Sequence, residues 1–225
     1  NHKMMNINII INTVYIISAL FFIAGLKMMT TPATARSGNM MSATGMLIAV
    51  LITLLEQSII DYEWIILGIF IGSIIGLFAS RMVQMTEIPE MVAIFNGFGG
   101  IASLMVAWAA LYPELTDLNL TNGYLVGSSN TMLMVIIVLS ILIGGITFSG
   151  SLIAYGKLSE RIPGNSYLFP GQSIISLCVI FILLFVSYRF IFGIATNSND
   201  FIAIIILSLV LGIILVIPIG GADMP

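Results

Sequence analysis

Long runs without a single charged residue alternate along this chain with short clusters where charge and turn-forming residues collect. Seven such runs stand out: Ile7 to Leu26, Asn39 to Leu55, Trp64 to Ser80, Met91 to Leu111, Thr131 to Tyr155, Ser173 to Tyr188 and Phe201 to Gly220. Each reaches, or nearly reaches, the about 20 apolar residues, with a range of about 17 to 25, that a helix needs to cross a hydrocarbon core. The runs are continuously apolar and lack the period-two alternation of barrel strands. Helices are therefore the expected spanning form, because every backbone polar group must be satisfied internally in lipid. The pattern predicts an all-α fold: a polytopic transmembrane helical bundle of about seven spanning helices, embedded in a lipid bilayer.

Composition sharpens this reading. Hydrophobic residues make up 59% of the 225 positions and charged residues only 8%, against about a quarter charged in soluble domains. All seven basic and ten acidic residues fall outside the seven runs, as expected when a bare charge at the bilayer centre costs several kcal/mol. The first run is too long for the apolar region of a signal peptide, is followed by Lys27 and shows no small-residue cleavage pattern. Cys178, the sole cysteine, lies in mid-span and excludes both an internal disulfide framework and a cysteine-cluster metal site. His2, the one histidine, stands at the start of the chain and reads as inert; no metal site and no nucleic-acid partner are expected.

The loop charges give an orientation. Alternate assignment puts Lys27, Arg36, Arg81, Lys157 and Arg161 on one side and leaves Lys3 and Arg189 on the other, so the first side is cytoplasmic or matrix. The acids Glu56, Asp61, Glu63, Glu114, Asp117 and Asp200 gather opposite, which agrees but weighs little. The N-terminus is then outside, and the closing residues GGADMP emerge inside. Three features share that inner face: the MTEIPE entry to the fourth span, the KLSER loop after the fifth, and Asp223.

Small and polar residues give the spans their faces. In the third span, Gly68, Gly72 and Gly76 recur every four residues, a spacing that predicts close approach of a neighbouring helix. In the fourth, a period of 3.6 gathers Asn96, Gly99, Gly100, Ser103 and Ala107 into one stripe; in the fifth, Ser140, Gly144, Thr147, Ser151 and Tyr155 form another. Two such stripes face to face predict a narrow seam able to hold water.

Asn96 lies six residues beyond Glu90, about 9 Å along the helix axis and thus within the hydrocarbon. It admits two readings. The first is an interhelical packing bond worth about 0.6 to 2 kcal/mol, which the residue alone favours; the second is a hydrogen-bonding station on a water or proton route. The segment Gly97 to Ala102 also satisfies the dinucleotide pattern G-x-G-x-x-G/A, but its glycines lie inside a span rather than between a strand and a helix, so it binds no nucleotide. Glu87 and Glu90 flank Pro89, where they serve either as first-turn caps or as the mouth of a proton relay. Lys157, Glu160 and Arg161 read as an ordinary positive-inside loop with an ion pair.

Four ordered motifs then point to a family. MTEIPEMVAIFNGFGG (Met85 to Gly100), GGITFSGSLIAYGKL (Gly144 to Leu158), LFPGQ (Leu168 to Gln172) and PIGGADMP (Pro218 to Pro225) resemble the membrane domain of the beta subunit of proton-translocating NAD(P) transhydrogenase, as does the opening GLKMMTTPATARSGN (Gly25 to Asn39). The resemblance implies an enzyme that couples hydride transfer between NADH and NADP to proton passage across a bacterial plasma membrane or the mitochondrial inner membrane. It implies that NAD(H) and NADP(H) are bound by separate partner domains, so that this chain binds no cofactor and carries no hydride-transfer site. Family members have nine spans and then an NADP(H)-binding domain; residues 1–225 are accordingly expected to be an incomplete transmembrane proton-translocating domain. Further membrane helices, a partner helix bearing a protonatable histidine, and a dimer of the full unit are implied in the same way. Some members carry that histidine at the position of Asn96, and this chain resembles those with asparagine there, which orients water or bonds the partner's imidazole. The proton route implied for this sequence comprises Asn96, Glu87, Ser103, Thr147 and Ser151, with Asp223 and Glu90 as coupling residues at the inner face.

Two rival functions remain on residue grounds. A secondary transporter would use the glycine-rich fourth and fifth spans as its substrate site and would show inverted repeats, of which none is convincing here. A structural subunit of a respiratory assembly would need no polar stripes.

Overall fold

A computed structural model describes residues 2–55, 62–120, 131–192 and 198–221, with side chains described over 9–54, 62–111, 131–192 and 199–221. Among the described residues seven helices form: α1 (His2–Met29), α2 (Ala35–Leu55), α3 (Tyr62–Met82), α4 (Ile88–Leu120), α5 (Thr131–Leu158), α6 (Gln172–Ile191) and α7 (Ser198–Val216), with a 3-10 turn, Met85–Glu87, leading into α4. Each of the seven is long and apolar enough to cross a membrane. The fold is all-α, as the charge-free runs predict. The chain divides into two compact units, 1–78 and 79–225.

In the first unit, α1 and α2 form an antiparallel hairpin whose crossing is built on small residues. A Cβ on Gly25 would stand 2.6 Å from the Gly38 carbonyl, and one on Gly38 would stand 2.7 Å from the Gly25 carbonyl. Backbones that meet this closely exclude any side chain larger than hydrogen. Hydroxyls then bridge the pair: Ser18 donates to the Gly45 carbonyl, Ser42 to that of Phe22 at 3.3 Å, and the Tyr15 and Thr53 hydroxyls lie 2.8 Å apart. On α3 the expected close packing at Gly68, Gly72 and Gly76 is not found: a Cβ at any of the three meets nothing within 4 Å among the described residues. Glycine spacing shows what a helix face permits, and no described neighbour takes it up.

In the second unit, α4 and α5 run antiparallel, α5 and α7 run parallel, and α6 lies antiparallel to α7. Glycines again set the approach. A Cβ on Gly145 would strike the Ser208 hydroxyl of α7, and one on Gly212 would come within 2.5 Å of the Ile146 carbonyl. The buried Ser149 and Ser208 satisfy their hydroxyls within their own helices, on the carbonyls of Gly145 at 3.0 Å and Ile205 at 2.8 Å, so they add small size without a stranded polar group. Toward the Thr131 end of α5, Leu111, Met134, Ile137, Val138, Ile141, Phe190, Phe201 and Ile204 close into an apolar core with Ala107, and the Trp108 and Phe201 rings meet edge to face at 5.7 Å. At that same end Arg189 pairs with Asp200 at 3.4 Å.

Most helices extend a few residues past the charge-free runs, and α4 continues to Leu120 where the run ends at Leu111; two boundaries bear on the site. The last helix ends at Val216 rather than Gly220, because Pro218 lacks an amide and cannot continue the ladder. The fifth runs to Leu158 rather than Tyr155, which carries Lys157 into the helix.

Candidate functional site

The interface between α4 and α5 is rotated from the expected stripe. Gly97, Gly100, Leu104, Ala107 and Leu111, stepping by three and four, are the buried line of α4. Asn96 and Ser103 lie on its edge. Gly99, expected inside, faces open space. At the centre of the crossing Gly100 meets Gly144: a Cβ on Gly100 would lie 2.7 Å from the Phe148 amide nitrogen and 2.8 Å from the Gly144 carbonyl oxygen. Backbone is in contact with backbone there, and the seam is closed at that level. One turn further, Ser103 donates to the Ser140 carbonyl at 3.4 Å, and beyond it lies the apolar core.

Space opens in the other direction. Between the start of α4, the last turns of α5 and the end of α7 lies a cavity of about 620 Å³. Asn96, Thr147 and Ser151 supply its polar groups, and Ile88, Val92, Ile146, Leu158, Val216 and Ile219 are among its apolar walls. Asn96 is exposed while Ser151 is buried. The Asn96 Nδ2 donates to the Ser151 Oγ at 2.8 Å. That bond uses one of two amide donors and leaves the Oδ1 acceptor free of any described partner. Gly97 makes the arrangement possible, since a Cβ there would already lie 3.2 Å from the Ser151 Cβ.

The carboxylates stand apart from this cavity. Glu87 folds back so that its Oε2 accepts the Gln84 amide at 3.2 Å, while its own amide donates to the Gln84 carbonyl at 3.0 Å. This is the capping geometry one of the two readings anticipated. Glu90 is half-buried in the first turn of α4, and neither acid is among the residues that line the cavity. Asp223 lies outside the described residues. Of the seven residues singled out from sequence, the structure brings Asn96, Thr147 and Ser151 together, sets Ser103 beyond the glycine crossing, and places Glu87 and Glu90 at the same end of the unit but off the cavity wall. No group of three or more His, Cys, Asp or Glu able to hold a metal occurs among the described residues.

Lys157, expected in the loop after the fifth span, belongs instead to the last turn of α5. It is 5% exposed. Its Nζ donates to the carbonyls of Ile219 at 2.8 Å, Asn165 at 3.4 Å and Ile217. The burial comes from the loop after α5, which turns at Glu160 with a left-handed φ of 55° and folds back over the helix end, its Ile162 amide bonding the Gly156 carbonyl at 2.8 Å. Arg161 stacks over the Tyr155 ring at 5.2 Å and pairs with no acid among the described residues. A sequence signal for Lys157 does exist. Pro218 removes the amide that would serve the Ile214 carbonyl and ends the helix, so α7 leaves carbonyls that need donors. Gln172 Nε2 serves Ile214 at 3.2 Å, and Lys157 serves Ile217 and Ile219, on either side of Pro218.

The sequence profile of the NAD(P) transhydrogenase beta subunit family matches residues 11–225. Two curated proteins from Rhodospirillum rubrum, each named NAD(P) transhydrogenase subunit beta, are 39% identical to the chain over 213 residues, covering 94% of it and 44% of their own length. The chain spans less than half the length of these relatives.

Proposed function

The chain belongs to the NAD(P) transhydrogenase beta subunit family, and from that premise we propose that it is the proton-translocating membrane part of such an enzyme. In this reading it couples proton passage across the bilayer to hydride transfer between NADH and NADP in partner domains. NAD(H) and NADP(H) bind to those domains, and this chain supplies no hydride-transfer site. The Lys157 end of the second unit faces the cytoplasm or matrix, by the loop charges.

The observation that carries the proposal is Asn96 bonded to Ser151 at the side of an open cavity within a membrane helix pair. A polar group inside a span is expensive unless it packs or conducts. A packing bond alone would close its surroundings, whereas here Asn96 keeps an unused acceptor beside space for several water molecules. Asparagine does not titrate, so its role is to orient: Ser151 fixes the amide plane, and Oδ1 then accepts from water or from an imidazole on a partner helix. Thr147, one turn along α5, extends the hydrogen-bonding wall. Glu87 and Glu90 stand at the entrance end, and Ser103 lies past the Gly100–Gly144 contact, where a proton would leave the cavity only after the helices part. The glycine crossing thus forms the dry barrier that a coupled enzyme needs, since an open channel would short-circuit the gradient.

The test is Asn96→Leu in the assembled enzyme, sealed in vesicles, with hydride transfer and proton uptake measured together. A route that loses its orienting hydrogen bond should slow by about tenfold, or about 1.4 kcal/mol in barrier, while assembly persists. An unchanged rate of proton-coupled hydride transfer together with an unchanged proton-to-hydride ratio would leave Asn96 a packing residue. The family match does not favour the transporter or accessory readings.

A further inference from the structure

Lys157 is a buried ammonium that the proton-route reading does not use. Among the described residues, every hydrogen-bonding contact it makes is to a main-chain carbonyl: Ile217 and Ile219 on the tail of α7, and Asn165 on the loop between α5 and α6. An ammonium has three donors, and all three are engaged. Buried cations are usually matched by acids. Here the compensation comes from the C-terminal end of a helix, whose unpaired carbonyls carry the negative end of the helix dipole.

The position of this contact gives it meaning. Two further main-chain bonds tie the same segments, from the Gly221 amide to the Gly164 carbonyl at 2.8 Å and from the Tyr167 amide to the Ile217 carbonyl at 3.5 Å. On one side of the junction, Leu158, Val216 and Ile219 wall the Asn96 cavity. On the other, Lys157, Glu160, Asn165, Gly164 and Gly221 line a second cavity of about 520 Å³. Leu158 and the α7 tail lie between the two cavities, and Lys157 is the only side chain described as donating to the carbonyls of Ile217 and Ile219.

We propose that Lys157 is a positioning residue of the proton route: by gathering three carbonyls it holds the Ile217–Gly221 tail as the wall of the Asn96 cavity, so that a displacement of the tail at this membrane face opens or closes the cavity mouth. The proposal rests on the reading of that cavity as part of the proton route. It differs from simple helix capping because the tail it holds is a cavity wall, and a cap could be lost without any change in access.

The test uses the assembled enzyme in sealed vesicles, in a Cys178→Ser background that removes the exposed native thiol. A reporter, Ile219→Cys, is labelled with a water-soluble maleimide, and the proton-to-hydride ratio is measured in parallel without the reporter. Lys157→Met keeps most of the side-chain length and removes charge and donors; with the Ile219 and Asn165 carbonyls left without this donor and that of Ile217 held by the Tyr167 amide alone, labelling should rise about twofold, the room left above the 39% exposure of Ile219, and the ratio should fall, while hydride transfer in the presence of an uncoupler persists. Lys157→Arg keeps the charge, but its flat fork does not converge on three separate carbonyls, so it should shift both readouts in the same direction by less. Wild-type labelling and ratio in an assembled Lys157→Met enzyme would overturn the proposal. Should Lys157→Met not assemble, Lys157→Arg decides, and wild-type values there overturn it. The two readings fail separately: a lowered ratio in Lys157→Met with an unchanged ratio in Asn96→Leu would sink the role of Asn96 and keep the brace, and the reverse would sink the brace alone.

Discussion

Two adjacent glycines on α4 should respond to the same substitution in opposite directions. Gly100 lies at the α4–α5 crossing, where a new Cβ would stand 2.7 Å from the Phe148 nitrogen and 2.8 Å from the Gly144 oxygen. Ordinary contact begins at 3.4 Å, so the overlap is 3.4 − 2.7 = 0.7 Å on one atom and 3.4 − 2.8 = 0.6 Å on the other. Both obstacles are backbone, which no rotamer change can move, so the helices themselves must separate. Overpacking of this kind costs about 1 to 3 kcal/mol. Alanine recovers up to about 1 kcal/mol of helix propensity over glycine, which leaves Gly100→Ala destabilising by up to about 2 kcal/mol. At Gly99 a Cβ meets nothing within 4 Å; Gly99→Ala gains propensity without a clash and should be neutral or stabilising by up to about 1 kcal/mol. Denaturant titration of the purified chain in detergent, followed by helical signal, measures both. Equal effects at the two positions, or a greater loss at Gly99, would refute the assignment of the buried face of α4 and the closed crossing with it.

Further outcomes follow from the same geometry. Ser151→Ala removes the partner of the Asn96 amide; stability should fall by no more than about 1 kcal/mol, the usual worth of an interhelical polar contact, while the proton-to-hydride ratio of the assembled enzyme drops more visibly. The Arg189–Asp200 pair should prove unequal. The Asp200 side chain is 14% exposed and that of Arg189 is 35% exposed, so Arg189→Met strands the more buried charge and should cost about 1 kcal/mol more than Asp200→Asn in the same unfolding assay.

The order and number of the helices are legible in the chain because charge is so scarce that every cluster of it marks a membrane edge. Finer placement obeys other rules. The small-residue stripe on α4 predicts an interface on the correct side, but periodicity alone does not separate the buried line through Gly97, Gly100 and Leu104 from its edge at Asn96 and Ser103, about one residue's rotation away. Gly68, Gly72 and Gly76 advertise a contact as strongly as Gly25 and Gly38 do, yet only the latter pair finds its backbone partner. Spacing sets what can approach, and the partner decides whether it does. Glu87 shows a capping geometry, one of the two roles its position allows. Lys157 escapes notice because a lysine at a membrane edge satisfies the positive-inside rule without further explanation. Its burial comes with a loop that folds back and with carbonyls sixty and sixty-two positions away, at Ile217 and Ile219, that lie past the end of a different helix.

The central claim is that Asn96 orients a proton carrier in a wet cavity. A structure of the assembled membrane domain, resolved well enough to place water, tests it most directly. The account predicts an ordered water or an imidazole of a partner helix within about 3.2 Å of the Asn96 Oδ1, with the Ser151 bond retained. A lipid chain or a dry apolar side chain filling the space beside Asn96 would contradict it.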